Sequence, residues 1–151
     1  MRDLLSGLNI YLIGMMGSGI TTVGKHLAQK LQYRFIDTER TIEAIARQPI
    51  SAIFKQSGEA SFRQLETQVL DSLSVHTRSV VATGGGIVQL PSNWSYLRNG
   101  LVVWLDVDLA GELELLLSSR RPLYAQADLR VKIKPEQSAS EVAATIIELL
   151  S

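Results

Sequence analysis

The feature that most constrains this chain is a series of short, almost wholly apolar runs separated by segments of helical periodicity. Asn9–Ile13 (NIYLI), Tyr33–Asp37 (YRFID), Ser79–Ala82 (SVVA), Leu101–Val107 (LVVWLDV) and Leu129–Ile133 have strand length. Between them, Thr21–Leu31 repeats Val23, Leu27 and Leu31 on one helical face. Further helices are predicted at Thr38–Arg47, Ile50–Gln56, Ala60–Val75, Pro91–Leu97 and Ser140–Leu150. Gly58 breaks the chain between the second and third of these, and a helix over Leu113–Arg120 is expected to stop at Pro122. Strands that are apolar on both faces belong to a mostly parallel sheet covered by helices on both sides. Right-handed crossovers then give a doubly wound, three-layer α/β domain. The 151 residues suffice for one such domain, residues 1–151, and not for two.

Composition removes several function classes. Fifteen basic and fifteen acidic residues cancel, so there is no basic field for sequence-independent nucleic-acid binding. The absence of cysteine excludes disulfide scaffolds, thiolate zinc sites and iron–sulfur clusters. His26 and His76 read as surface residues, and Trp94 and Trp104 as packing. Asp3 and the glycine-rich end of the Leu8–Ile20 run argue against a secretory signal, and no run is long enough for a membrane helix. The expectation is a monomer of a reducing compartment, with no nucleic-acid or membrane partner.

Ligands of doubly wound sheets bind at the carboxyl ends of the strands. Three polar or glycine clusters fall there: Gly14–Thr22, Asp37–Glu39 and Gly84–Gly86. The first, Gly14-Met15-Met16-Gly17-Ser18-Gly19-Ile20-Thr21-Thr22, matches the P-loop pattern G-x-x-x-x-G-K-[ST] at every defined position but one. Its glycines let backbone N–H groups turn inward on a phosphate, and the following helix adds its positive dipole end. Thr21 stands where a hydroxyl would coordinate magnesium. A glycine-rich turn alone would be an ordinary turn; the preceding strand, the following helix and the two threonines favour phosphate binding. Ile20 is the exception. The pattern has a lysine here that reaches the β- and γ-phosphates, which isoleucine cannot replace. Lys25 lies five residues on and faces elsewhere on the helix.

These motifs, with FIDTE, GEASFRQLE, VVATGGGIV and RRPLY in the same order, resemble shikimate kinases over Asn9–Ile133. NWSYL, VVWLDV and RRPLYAQAD are similar to cyanobacterial or plastid-type members in particular. The resemblance implies a five-stranded parallel sheet of the nucleoside-monophosphate-kinase type. It also implies transfer of the ATP γ-phosphate to the 3-hydroxyl of shikimate with magnesium, in the cytoplasm or, in a plant, the plastid stroma. By position, Asp37 matches the acid that helps hold magnesium. Glu39 matches an aspartate that binds the shikimate hydroxyls and acts as base. Arg63 and Arg120 match arginines that clamp the substrate carboxylate. Gly84, Gly85 and Gly86 match the substrate-side loop, and Lys134–Gln137 fall at the adenine side. Glu66 lies one turn from Arg63 and would orient it; alone, the two would read as a surface pair. Arg121 reads as solvated.

Two departures accompany the resemblance. Glu39 carries one methylene more than the family's aspartate, a shift of roughly 1 Å that can cost about 10²-fold in rate. The lid segment of the family, expected near 108–114 with its own arginine, has no counterpart: Asp108–Glu112 joins strand to helix almost directly. With Ile20, this predicts a severely impaired kinase. The alternatives are a non-catalytic binding or regulatory module, and a P-loop kinase for another small substrate such as gluconate or a nucleoside monophosphate. Arg63 and Arg120 favour a carboxylated one.

Overall fold

All five apolar runs form strands. In the computed structural model, which describes residues 7–15, 19–107 and 112–150, the strands are β1 Ile10–Ile13, β2 Arg34–Asp37, β3 Ser79–Ala82, β4 Leu101–Val107 and β5 Leu129–Ile133. The helices are α1 Ile20–Leu31, α2 Thr38–Ala46, α3 Ile50–Leu73, α4 Pro91–Leu97, α5 Glu112–Tyr124 and α6 Ala139–Leu150, with a short 3-10 turn at Ile87–Gln89. The strands pair in the order β2-β3-β1-β4-β5, and every pairing is parallel. This is the doubly wound α/β sheet expected from the sequence.

Alternation along each strand divides the core into two layers. Ile10 and Leu12 of β1, Val80 of β3, and Val103 and Leu105 of β4 face α1 and α6, where they meet Val23, Leu27, Val142 and Ile146. Tyr11, Ile13, Val81, Val102 and Trp104 face the other way, toward Ile42, Phe62, Leu70, Trp94 and Tyr124. Trp94 donates its indole N–H to the Val88 carbonyl, and Trp104 stacks on Tyr124 with ring centroids 5.7 Å apart. Both tryptophans are packing residues, and His76 is exposed. Asn9, at the amino end of the central strand β1, ties it to the connection between α3 and β3: its side-chain amide donates to the Leu73 and His76 carbonyls and accepts from the Ser79 N–H.

Two boundaries differ from expectation. Helix α5 does not stop at Pro122 but runs through it to Tyr124. The proline leaves the carbonyl four residues back, that of Ser118, without a helical donor, and Ser118 is exposed, so water can take that role. The Ile50–Gln56 and Ala60–Val75 segments form one helix, α3, interrupted at Gly58, whose φ of 85° and ψ of 171° are not helical. Strand β2 is an edge strand with Arg34 exposed, less buried than its sequence suggests.

Candidate active site

The carboxyl ends of β1, β2 and β3 open on one cleft of about 450 Å³. It is lined by Gly14, Met15, Gly19, Ile20, Thr21, Thr22, Glu39, Thr83, Gly84 and Gly85. The first and third glycine clusters thus face each other across it, because β1 and β3 are neighbours in the sheet. Helix α1 starts at the cleft with no side-chain cap and no acidic residue in its first turn, which leaves its N-terminal N–H groups for an anion. Met16, Gly17 and Ser18 of the P-loop lie outside the described residues, as do 108–111 of the connection where the lid was sought.

Asp37 ends β2 and caps α2. Its Oδ1 accepts from the N–H groups of Glu39 and Arg40, which leaves Oδ2 for the Thr21 hydroxyl at 3.2 Å. A hydroxyl and a carboxylate oxygen side by side suit magnesium, which takes one or two protein oxygens and keeps most of its waters. Among the described residues no group of three or more His, Asp or Glu side chains forms a fuller cage. Thr21 and Asp37 would hold the ion.

The residues expected on the substrate side, Glu39, Arg63 and Arg120, all contact the Gly84–Gly86 loop. A Cβ on Gly84 would lie 2.6 Å from Glu39 Oε2, and one on Gly86 would lie 2.5 Å from an Arg63 guanidinium nitrogen. Only glycine lets these two side chains lie so close to the loop. The Glu39 residue keeps exposed surface, but its carboxylate tip rests against buried Gly84. Burial raises its pKa from the ordinary 4.5, the charges of Asp37 and Glu43 add to the rise, and Arg63 opposes it.

Arg63 and Glu66 are not a surface pair. The Arg63 Nη1 donates to Glu66 Oε1 at 3.0 Å, and the Glu66 side chain is only 1% exposed. Burial raises the Glu66 pKa from its ordinary value, against the hydrogen bond and charge of Arg63. Arg120 reaches the same loop from α5. Its Nη1 donates to the Gly85 carbonyl at 3.2 Å, and its buried Nε has no acceptor among the described residues. Arg121 instead pairs with Glu114 at 3.3 Å, half in solvent.

Several site residues escaped the sequence reading. Tyr124 donates its hydroxyl to the Gly85 carbonyl at 2.8 Å and so fixes the loop beside Arg120. The Thr83 hydroxyl donates to the Leu12 carbonyl and locks the end of β3 to β1. Glu59, four residues before Arg63, lies 3.3 Å from its Nη2. The only available signal was the i,i+4 spacing of Glu59 with Arg63 and of Arg120 with Tyr124. The Glu43 carboxylate accepts from the Ile50 N–H and joins α2 to the start of α3.

The family model for shikimate kinase matches residues 16–116, about two thirds of the chain. The chain belongs to the shikimate kinase family. It is 47% identical over 164 positions to the shikimate kinase of Microcystis aeruginosa, covering 95% of this chain and 86% of that one. It is 45% identical over 171 positions to that of Trichormus variabilis, covering 99% and 94%. The second alignment spans 171 positions against 151 residues, so at least 20 positions of the relative have no counterpart here. The shikimate kinase of Acinetobacter baumannii, solved in complex with shikimate, superposes with a TM-score of 0.91 at 34% identity, covering 99% of this chain and 96% of that one. The adenylylsulfate (APS) kinase of Mycobacterium tuberculosis, at 17% identity and a TM-score of 0.61, shares the fold. Membership of this family makes the chain a phosphotransferase with an alcohol acceptor by class. Among the described residues, no helix is long and apolar enough to cross a membrane.

Proposed function

We propose that this chain binds shikimate and ATP as a cytoplasmic monomer and transfers the γ-phosphate to the shikimate 3-hydroxyl at a severely reduced rate. The observation that carries the substrate is the convergence of Glu39 and Arg63 on the Gly84–Gly86 loop, with Arg120 on the far side of Gly85. A planar fork grips a carboxylate side-on, which suits Arg63 and Arg120 to the acid group of the substrate. Glu39 then faces the ring hydroxyls. In its ionised form it accepts the 3-hydroxyl proton while that oxygen forms its bond to phosphorus and the bond to the ADP oxygen breaks. The raised pKa of Glu39 makes it a better proton acceptor than an ordinary glutamate. Magnesium, held by Thr21 and Asp37, would supply charge neutralisation on the phosphates.

The reduced rate follows from the other half of the cleft. None of the described residues lining it is a lysine or arginine. Ile20 occupies the lysine position and is 9% exposed, packed with the α1–α6 layer of the core. Lys25 does not compensate, since its Nζ lies 5.9 Å above the Phe35 ring. A lid arginine would be the second missing cation, and the gap of at least 20 positions against the Trichormus relative is long enough to hold such a segment. The same asymmetry favours a second reading, in which the chain binds shikimate without turnover and serves as a binding module.

A coupled assay with ATP, magnesium and shikimate tests both. Ile20→Lys is expected to raise turnover by about 10²–10³-fold, the usual effect of one electrostatic group at a transition state. Turnover of about 1–100 s⁻¹ by the unaltered chain, the ordinary kinase range, would overturn the impairment. No shikimate binding by calorimetry would overturn the substrate.

A further inference from the structure

Arg63 presents two edges, and both are occupied by the protein itself. Nη1 is held by buried Glu66, as described above. The opposite edge, Nε and Nη2, is the side-on fork suited to a carboxylate. Both of its nitrogens donate to a single oxygen, Glu59 Oε2, at 3.4 and 3.3 Å. Glu59 therefore sits where an incoming carboxylate would bind.

Three observations mark this contact as replaceable. The distances exceed the ~2.7–2.9 Å of a firm charge-assisted bond. The Glu59 side chain is 64% exposed, against 1% for Glu66. Glu59 also follows Gly58, the residue at which α3 leaves helical geometry, so its side chain can swing away at the start of the second helical half.

We propose that Glu59 is an internal stand-in for the substrate carboxylate. It holds the Arg63 fork in place while the site is empty and is displaced when the ligand's own carboxylate arrives. This makes Glu59 a positioning and specificity residue: a ligand must bring a full negative charge to replace it. The proposal rests on the reading of Arg63 as a carboxylate clamp.

Calorimetric titration of the full chain and of Glu59→Gln tests it, with shikimate and with cyclohex-1-ene-1-carboxylate, which offers only the acid group. Glu59→Gln is near-isosteric at an exposed position and keeps the fold. Loss of the competitor should tighten both carboxylates by about 2–5-fold at low salt, the effect of one exposed ion pair. The difference should shrink toward 1 M salt, because the wild type exchanges one charge for another while the variant gains one. A merely structural contact would not show that salt dependence. Equal or weaker binding by Glu59→Gln overturns the proposal. Tightening of cyclohexenecarboxylate without any shikimate binding keeps Glu59 as a stand-in and removes shikimate as the substrate. Failure of both carboxylates on both proteins removes the clamp and the stand-in together.

Discussion

Arg63→Ala should destabilise the fold in a strongly pH-dependent way. Glu66 is buried to 1% exposure, and its Oε2 has no protein partner, so Arg63 supplies its only hydrogen bond among the described residues. Without Arg63 the carboxylate either stays charged and unpaired or takes up a proton. The first route costs about 3–5 kcal/mol, the usual loss on breaking a buried pair. The second costs 1.36 kcal/mol for each pH unit above the ordinary Glu value of 4.5. That is about 3.4 kcal/mol at pH 7 and about 0.7 kcal/mol at pH 5. The cheaper route wins, and because the wild-type Glu66 pKa is itself raised these figures are upper bounds on the difference, so the variant should lose up to about 3 kcal/mol at pH 7 and less than about 1 kcal/mol at pH 5. The sign follows from linkage. A carboxyl whose folded-state pKa is raised binds its proton more tightly in the native protein, so stability falls as pH climbs from the unfolded value through the folded one. Urea unfolding of wild type and variant at both pH values measures this, with Arg63→Ala/Glu66→Gln as a control that should lose less stability between pH 5 and pH 7 than Arg63→Ala, keeping only the contribution of Glu39. An equal loss at pH 5 and pH 7, or a loss under about 1 kcal/mol at pH 7, would show that solvent reaches Glu66 and would refute the buried-pair argument.

Other variants probe the glycine loop, Glu39 and the amino end of the central strand. Gly86→Ala places a Cβ 2.5 Å from Arg63 Nη2 and 2.7 Å from Nη1, and thermal melts should show a loss of about 1–3 kcal/mol as the guanidinium is pushed off Glu66. The nearest atoms that Gly84→Ala would meet all belong to the flexible Glu39 side chain, so stability should change by less than about 1 kcal/mol while shikimate affinity falls in calorimetry. In an Ile20→Lys background, kcat/KM should drop on acidification with a midpoint above 4.5, because Glu39 must be ionised and its pKa is raised; Glu39→Gln should lose that limb along with most activity. Asn9→Ala should cost about 2–3 kcal/mol in urea unfolding, since it strands the Ser79 N–H and the His76 carbonyl.

The strands and the two facing glycine clusters were legible because burial on both faces leaves an unbroken apolar signature. The side-chain network was less so. Glu66 sits three residues from Arg63, a spacing that normally marks a solvent-exposed pair, yet it shares the helical face of Phe62, Val69, Leu70 and Leu73, and that periodicity is the signal that α3 turns it inward. Glu59 was hidden as one more i,i+4 acid–base pair on a long helix. The Tyr124 hydroxyl acts on a carbonyl 39 residues away, a contact set only by how α5 docks beside β3. Pro122 does not end α5, because the helix continues only two residues past it and the freed Ser118 carbonyl belongs to an exposed residue. Gly58 was read correctly as a break, since only its backbone conformation was at issue.

Ile20 has a consequence beyond chemistry. Its side chain is 9% exposed and packs against the layer that joins α1 to α6. Full burial of an isoleucine is worth about 1.5–3 kcal/mol, and a lysine at the same place would have to send its charge back to water. Ile20→Lys should therefore lower stability even as it brings a cation to the cleft. Stability and turnover should thus move in opposite directions at this one position, so a melt and a rate measured on the same Ile20→Lys protein separate the packing role of the residue from its place in the cleft.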